Sequence, residues 1–312
     1  MNTATTLPLK ELVEDTYAEG FRSIYGEILV TARDDRWLRH CVAAVTGHSS
    51  STIMCDCEAG VAQWIDADEA GRGATPDGRP GAVIQFHVPR FVKNRERVLE
   101  KVMLARISQN VLTCPTARCF NRLDTEDYFK LGRKVALFGD RHQFREERFD
   151  ERGWVIPILG GEFFLSRRFG FQNGVMGGNL WFYAAAEDVA LDAAERAVDA
   201  VEQTPGVITT FPGGIAASGS KAGSSYDFLI AATYAEFCPT LKDKLGDQSK
   251  VPDGVGSIME IILNGSSLEA IQEATKQAIH AAAKTPNLMR ISAGNYGGRL
   301  GKAFVHLHEL ID

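Results

Sequence analysis

An internal repeat constrains this chain more than any single motif. Thr204-Pro205, ahead of the apolar run 207–211 (VITTF), recurs 81 residues later as Thr285-Pro286, ahead of 288–292 (LMRIS). At the same offset Leu180-Trp181-Phe182 falls on Ile261-Ile262-Leu263, Gly213 on Gly294, and Asn179 on Glu260. Repeats of this kind mark a duplicated supersecondary unit, so a reading of one copy has to serve for both. Each copy runs from its last strand into a glycine-rich loop that ends near a lysine: 211–223 (FPGGIAASGSKAG) and 292–302 (SAGNYGGRLGK). Glycines permit φ > 0 and close approach of backbone to a ligand, and successive N–H groups can form an anion-binding nest. Neither loop matches a nucleotide-phosphate fingerprint.

The strands and helices around these loops follow from apolar spacing. The segments 24–32, 51–57, 82–88 and 111–114 read as strands, and 34–45 and 95–109 as helices, the first closed by Gly47 as a C-terminal cap. Between 117 and 177 the alternation breaks: 134–138, 154–159 and 162–165 read as short strands, and the charged run 140–153 as a solvated hairpin. It resumes with strands at 179–185, 207–211, 257–263 and 289–293, helices at 188–203 and after Ser266, and a closing strand at 304–307. A capping box of Ser266 and Glu269 is expected to start the later helix, and a further helix is expected over 226–237. Both halves therefore read βαββαβ, which predicts an α+β fold of two ferredoxin-like lobes with a cleft between them and extra connecting strands. The expected divisions are 1–120, a connecting stretch 121–174, and 175–312.

Composition removes several function classes. The chain has 312 residues, 45% hydrophobic and 24% charged, and a net charge of −6, which argues against nucleic acid as the main partner. No apolar run approaches the roughly 18 residues of a membrane span, and the N-terminus lacks a basic-then-apolar leader, so a cytoplasmic protein without membrane attachment is expected. The six cysteines show no recurring metal spacing. Cys55-x-Cys57 and His306-x-His308 each place two ligand types on one strand face, yet neither has the carboxylates or further ligands a metal site needs, and no metal is expected.

Glu260 is the first candidate for chemistry. It lies in SIMEIIL, a strand otherwise apolar, where a carboxylate is ion-paired, turned to solvent, or held with a raised pKa for acid/base work.

Longer strings then narrow the reading. DTYAEGF (15–21), STIMCDCEAG (51–60), TPDGRPG (75–81), FPGGIAASGSKAG (211–223), FCPTLKDK (237–244), SIMEIILNG (257–265) and ISAGNYGGRLGK (291–302) together resemble the formylmethanofuran:tetrahydromethanopterin formyltransferase family. The resemblance runs in order from about residue 15 to the end. It implies transfer of a formyl group between the amine of a methanofuran or methylofuran carrier and N5 of a tetrahydromethanopterin, with both coenzymes as substrates and no prosthetic group. It places the acid/base role on Glu260. It implies coenzyme contacts for Ser218, Gly219, Ser220 and Lys221, which suit anionic tails, and for Asn295, Tyr296 and Arg299. Asp77 and Arg79 are read instead as a turn with its own ion pair. Mild acidity, Asp56 and Cys57 within STIMCDCEAG, and a long N-terminal arm point to a bacterial, methylotroph-type member. Such a member would act as a homo-oligomer, as a subunit of a formyltransferase/hydrolase complex, or both. The competing reading is a non-catalytic scaffold subunit of such a complex.

Overall fold

The computed structural model describes residues 7–299 and 301–311, so positions 1–6 of the N-terminal arm, Leu300 of the second loop and Asp312 lie outside the described residues. The chain is a mixed α+β protein that divides into two compact units: a continuous one, Ser23–Gly174, and a split one, made of the chain up to Arg22 and from Val175 on. The stretch 121–174, expected as a connection, is part of the continuous unit.

The continuous unit contains most of β1 (Tyr17–Thr31), then α1 (Asp35–Thr46), β2 (Glu58–Ile65), β3 (Gly81–Pro89), α2 (Arg95–Arg106) and β4 (Arg118–Asn121). The strands pair antiparallel in the order β2–β3–β1–β4. Ile24, Ile28 and Val30 alternate onto the helix side, where they meet Leu38, Cys41, Val42 and Val45 of α1 and Leu99, Val102 and Met103 of α2. Helix α3 (Leu131–Ala136) follows, then β5 (Phe144–Arg148), β6 (Glu151–Ile158) and β7 (Gly161–Ser166). The charged run forms the β5–β6 hairpin as expected, and β7 joins β4 in parallel.

Several local expectations give way to side-chain chemistry. The residues 51–56 are turns rather than a strand, because Asp56 is drawn to the Arg106 guanidinium at 2.8 Å and the Thr52 N–H donates to Glu58. Gly47 is the C-terminal cap of α1 as expected, with φ at −59° rather than in the left-handed region, and Arg106 donates to Val45 O and Gly47 O at 2.7 and 2.8 Å. The segment 111–114 continues the widened end of α2. KVALF belongs to α3 and its extension, since burial of Leu131, Val135 and Ala136 on one face outweighs local strand propensity. Asp77 does form its ion pair with Arg79, at 2.7 Å, and a second with Arg118 at 2.9 Å.

The split unit carries β8 (Phe169–Ala184) from Val175 on, α4 (Glu187–Glu202), β9 (Val207–Thr209), β10 (Ile215–Ala216), β11 (Ser257–Gly265), α5 (Leu268–Ala282), β12 (Leu288–Ser292), β13 (Ala303–His306) and α6 (Leu307–Ile311). Its strands repeat the first pattern, β9–β11–β8–β12, all antiparallel. Leu180, the repeat partner of Ile261, pairs directly with it, and the pairs Asn179–Ile262 and Trp181–Glu260 exchange under the 81-residue offset. The two βαβ halves are thus related by a local two-fold axis between β8 and β11. Gly206 and Asn287, again 81 apart, both take φ near +70° after their helices, a conformation these two residue types tolerate best. Small residues, Ala190, Ala193, Ala194 and Ala197 against Ala274, Ala278 and Ala282, let α4 and α5 pack closely over the sheet.

The cap of α5 is Ser267, one residue beyond the expected Ser266; its Oγ accepts from Ala270 N. The expected helix over 226–237 is absent: a two-residue ribbon pairs Lys221–Ala222 with Ala231–Ala232, and Tyr226, Phe228 and Ile230 stand exposed. No helix among the described residues is long and apolar enough to cross a membrane.

His87, on β3, is wholly buried within a chain of polar partners, and burial fixes its charge. Ser23 Oγ lies 3.1 Å from Nδ1, Nε2 lies 3.0 Å from Gln85 Oε1, and Gln85 Nε2 donates to Glu27 at 2.8 Å. Burial pulls its pKa from 6.5 down to about 3. A histidine kept neutral in the fold contributes stability that is present above pH 6.5 and lost as the pH falls toward 3. The stability advantage of the natural chain over His87→Gln should therefore shrink by about 3 kcal/mol between pH 7 and pH 4 in urea titrations; an advantage constant over that range would show that His87 takes up its proton without opening the fold.

Candidate functional site

Glu260 reaches its site through strand alternation. Met259, Ile261 and Leu263 turn to the helices, so Glu260 points to the opposite face of the sheet, directly across from Trp181 of β8. Two donors converge on one of its oxygens: Asn179 Nδ2 at 2.7 Å and Trp181 Nε1 at 2.8 Å, both to Oε1. Among the described residues no hydrogen bond is made to Oε2. Burial raises the carboxyl pKa above the ordinary value, and the Trp181 and Asn179 hydrogen bonds draw it back in part. One oxygen is thus anchored and the other is available to a ligand, with the proton held more readily than by a surface glutamate.

The carboxyl opens on a cavity of about 190 Å³, lined among others by Trp181, Ser218, Gly219, Tyr234 and Phe237. Trp181, Tyr234 and Phe237 meet edge to face, with ring centres 4.7–5.8 Å apart, and form one wall. The same three rings border a second cavity of about 330 Å³, whose other lining is largely polar and includes Glu14, Tyr183, Lys250, Arg290, Ser292 and Asn295. Burial pushes the Tyr183 phenol up, so it stays a neutral donor and acceptor. Lys250 is held by Glu236 at 2.6 Å and lies over the Phe237 ring. A planar heterocycle would find an apolar stacking surface and converging polar groups here.

The structure brings Ser218, Gly219 and Glu260 together at the first cavity and places Asn295 at the second. Ser220, Lys221, Tyr296 and Arg299 line neither. Ser220 O accepts from the Tyr296 hydroxyl at 3.3 Å, which ties the two glycine loops together, Lys221 sits in the two-residue ribbon, and Arg299 is exposed. The second loop does form a nest of N–H donors, but an internal group fills it: Glu19 accepts from Tyr296 N, Gly298 N and Gly301 N at 2.7–3.1 Å. His306 and His308 do not share a strand face. His306 ends β13, while His308 lies on α6 and donates to Val13 O. No cluster of three or more metal-ligating residues occurs among the described residues.

Trp181, Tyr234 and Phe237 were not singled out by the sequence. Trp181 sits in an apolar strand that alternation assigns to the core, and the other two were hidden in an expected helix. The string FCPTLKDK, which begins at Phe237, and the repeated run Leu180-Trp181-Phe182 were the signals that touched this wall.

Comparison with known proteins agrees over the whole length. The family profile described as formylmethanofuran-tetrahydromethanopterin formyltransferase matches residues 10–158, and its companion, described as FTR, proximal lobe, matches 161–310. The enzyme of that name from Methanocaldococcus jannaschii is 41% identical over 305 residues, covering 96% of this chain and 98% of the relative. That from Methanothermus fervidus is 43% identical over 300 residues, with 96% and 97% covered. Among solved structures, the formyltransferase from Methanosarcina barkeri superposes with a TM-score of 0.90 at 38% identity, covering 97% of this chain and 99% of that one. A chain of the formyltransferase/hydrolase complex of Methylorubrum extorquens, solved with methylofuran, superposes at 0.88 and 35% identity, with 99% of each covered. The chain belongs to the formylmethanofuran-tetrahydromethanopterin formyltransferase family.

Proposed function

We propose that Glu260 is the acid/base of a formyl transfer between a methanofuran- or methylofuran-type amine and N5 of a tetrahydromethanopterin, both bound at once. The observation that carries this reading is the asymmetric hold on its carboxyl, anchored through Oε1 and open through Oε2. N5 attacks the formyl carbon and forms a tetrahedral oxyanion. The carbon–nitrogen bond to the carrier then breaks, the proton of N5 passes to Oε2, and the released amine takes a proton back. Net proton count is unchanged, so one group with a raised pKa serves both steps in either direction. The two cavities on either side of the Trp181 wall give the reacting ends adjacent places, which lowers the entropic cost of bringing them together. Ser218 and Gly219 stand beside Glu260, Asn295 faces the second cavity, and Ser220, Lys221, Tyr296 and Arg299 are assigned to longer coenzyme tails at the loop surface.

The shared strand order of the two units supports a ferredoxin-like lobe for each. We assign one lobe, expected over 1–120, to its part in the continuous unit, 23–120, and the other to 175–312, with 121–174 as added structure. The likeness to the Methylorubrum extorquens complex supports a subunit of a formyltransferase/hydrolase complex; we assign the chain to a cytoplasmic, methylotroph-type enzyme working in formaldehyde oxidation, as such a subunit, a homo-oligomer, or both.

Glu260→Gln should keep affinity for both coenzymes and lose about 10²-fold or more in kcat, measured by pterin absorbance with formyl-tetrahydromethanopterin and the furan carrier. Equal rates would remove Glu260 from the chemistry, and coenzyme binding without turnover by the natural chain, alone or with complex partners, would favour a scaffold. The rate should fall with pH along a limb that lies above the ordinary carboxylate pKa, because burial holds the proton on Glu260. In Asn179→Ala that limb should move to higher pH, since a hydrogen bond that favours the ionised form is gone. A limb that stays in place would show that Asn179 does not set the acidity.

A further inference from the structure

Glu19 lies near the start of β1, far from Glu260 in sequence, yet the two are linked through one loop. Its carboxylate gathers the N–H groups of Tyr296 and Gly298 on Oε2, at 2.8 and 3.1 Å, and that of Gly301 on Oε1, at 2.7 Å. Asn295 adds bonds from its amide to Thr16 Oγ1 and Tyr17 O, at 3.2 and 3.3 Å. The loop can return to β1 only because position 301 is glycine: a Cβ there would lie 1.7 Å from Gly20 O. The described residues of the loop, 295–299 and 301, are therefore clamped along β1 by the Glu19 carboxylate.

At the other end of the clamp is Gly294. Its N–H donates to Asn179 Oδ1 at 3.0 Å, and a Cβ on it would lie 2.8 Å from Asn179 Nδ2 and 2.7 Å from Trp181. A side-chain amide can be turned over at little cost unless each end has a distinct partner. The Gly294 N–H gives Asn179 that distinction: it takes the oxygen, which leaves Nδ2 to face Glu260 Oε1. Turned over, the amide would present its oxygen to the carboxylate, and the anchoring bond would become a repulsion.

We infer that Glu19 is a positioning residue for the reaction: by clamping the second glycine loop it fixes the amide of Asn179, and through it the carboxyl of Glu260. The inference rests on the acid/base role proposed for Glu260. A carboxylate suits the clamp because it accepts on both oxygens; a glutamine would turn an NH₂ toward one of the N–H groups, and an aspartate would fall one methylene short.

The test is the kinetics of Glu19→Gln in the same assembly as the natural enzyme. It should lower kcat by about 10-fold or more, beyond any rise in KM from loosening the loop that carries Asn295, Tyr296 and Arg299, and shift the acid limb of the pH–rate profile upward, as Asn179→Ala does. Combined with Asn179→Ala it should add nothing further, because both act on one chain of contacts. Natural kcat and an unmoved limb, with only a lowered melting temperature, would reduce Glu19 to a brace for the loop and overturn the inference. If Glu19→Gln yields no folded protein, Glu19→Asp keeps the charge and carries the same expected shift and the same overturning result. The two readings fail separately. A fully active Glu260→Gln removes the acid/base role and this inference with it, whereas an inactive Glu260→Gln beside a natural-like Glu19→Gln removes only the inference.

Discussion

A carboxyl group withdrawn from water has to be protonated or supplied with donors, and the arrangement around Glu260 does some of each. The two hydrogen bonds that hold it end on the same oxygen. Had they been divided between both oxygens, the carboxylate would be well satisfied and a poor place to leave a proton. Concentrated on Oε1, they fix the direction of the group and offset part of the rise in basicity that burial brings. The acid/base role proposed for Glu260 depends on that one asymmetry.

The asymmetry follows from the architecture. Strands β8 and β11 are the middle strands of the split unit; one face packs on α4 and α5, the other meets Tyr234, Phe237, Val251 and Val255. Alternation sends every second residue to that second face, which puts Trp181 and Glu260 opposite each other and Asn179 two pairs away on the same face. The equivalent face in the continuous unit, turned away from its helices, carries Tyr25 and Glu27 of β1 and Gln85 and His87 of β3, a buried set joined by hydrogen bonds and ring contacts. One sheet pattern thus serves a satisfied polar layer in one unit and a candidate site beside a cavity in the other.

Much of the fold was legible because apolar period is a local signal. The central strands, the major helices and the 81-residue repeat all appear in the sequence, and the register of Leu180 with Ile261 bears the repeat out. What misled was local resemblance overruled by distant partners: residues 51–56, which bend to meet Arg106, and KVALF, which winds into a helix because its apolar face has a core to cover. In the site, Glu260 was conspicuous as a charge in an apolar strand. Its supports were not, because Trp181 counts as core by alternation and Glu19 meets Gly298 across 279 residues of chain. A glycine-rich loop announces a nest of donors, but no local pattern tells whether a ligand or the protein's own carboxylate will fill it.

The local two-fold axis between β8 and β11 has a bearing on how such a site arises. Asn179 and Glu260 occupy equivalent positions of the two halves, and they are bonded to each other. In a duplicated unit with identical halves, both positions would hold the same side chain. Two glutamates would meet and share a single proton, and two asparagines would close an amide pair with nothing to titrate. A donor fixed beside a lone acid exists only once the copies differ. On this view the proposed acid/base chemistry would be a product of broken symmetry: duplication supplied the facing positions, and divergence of a single pair turned a contact between equals into a division of labour.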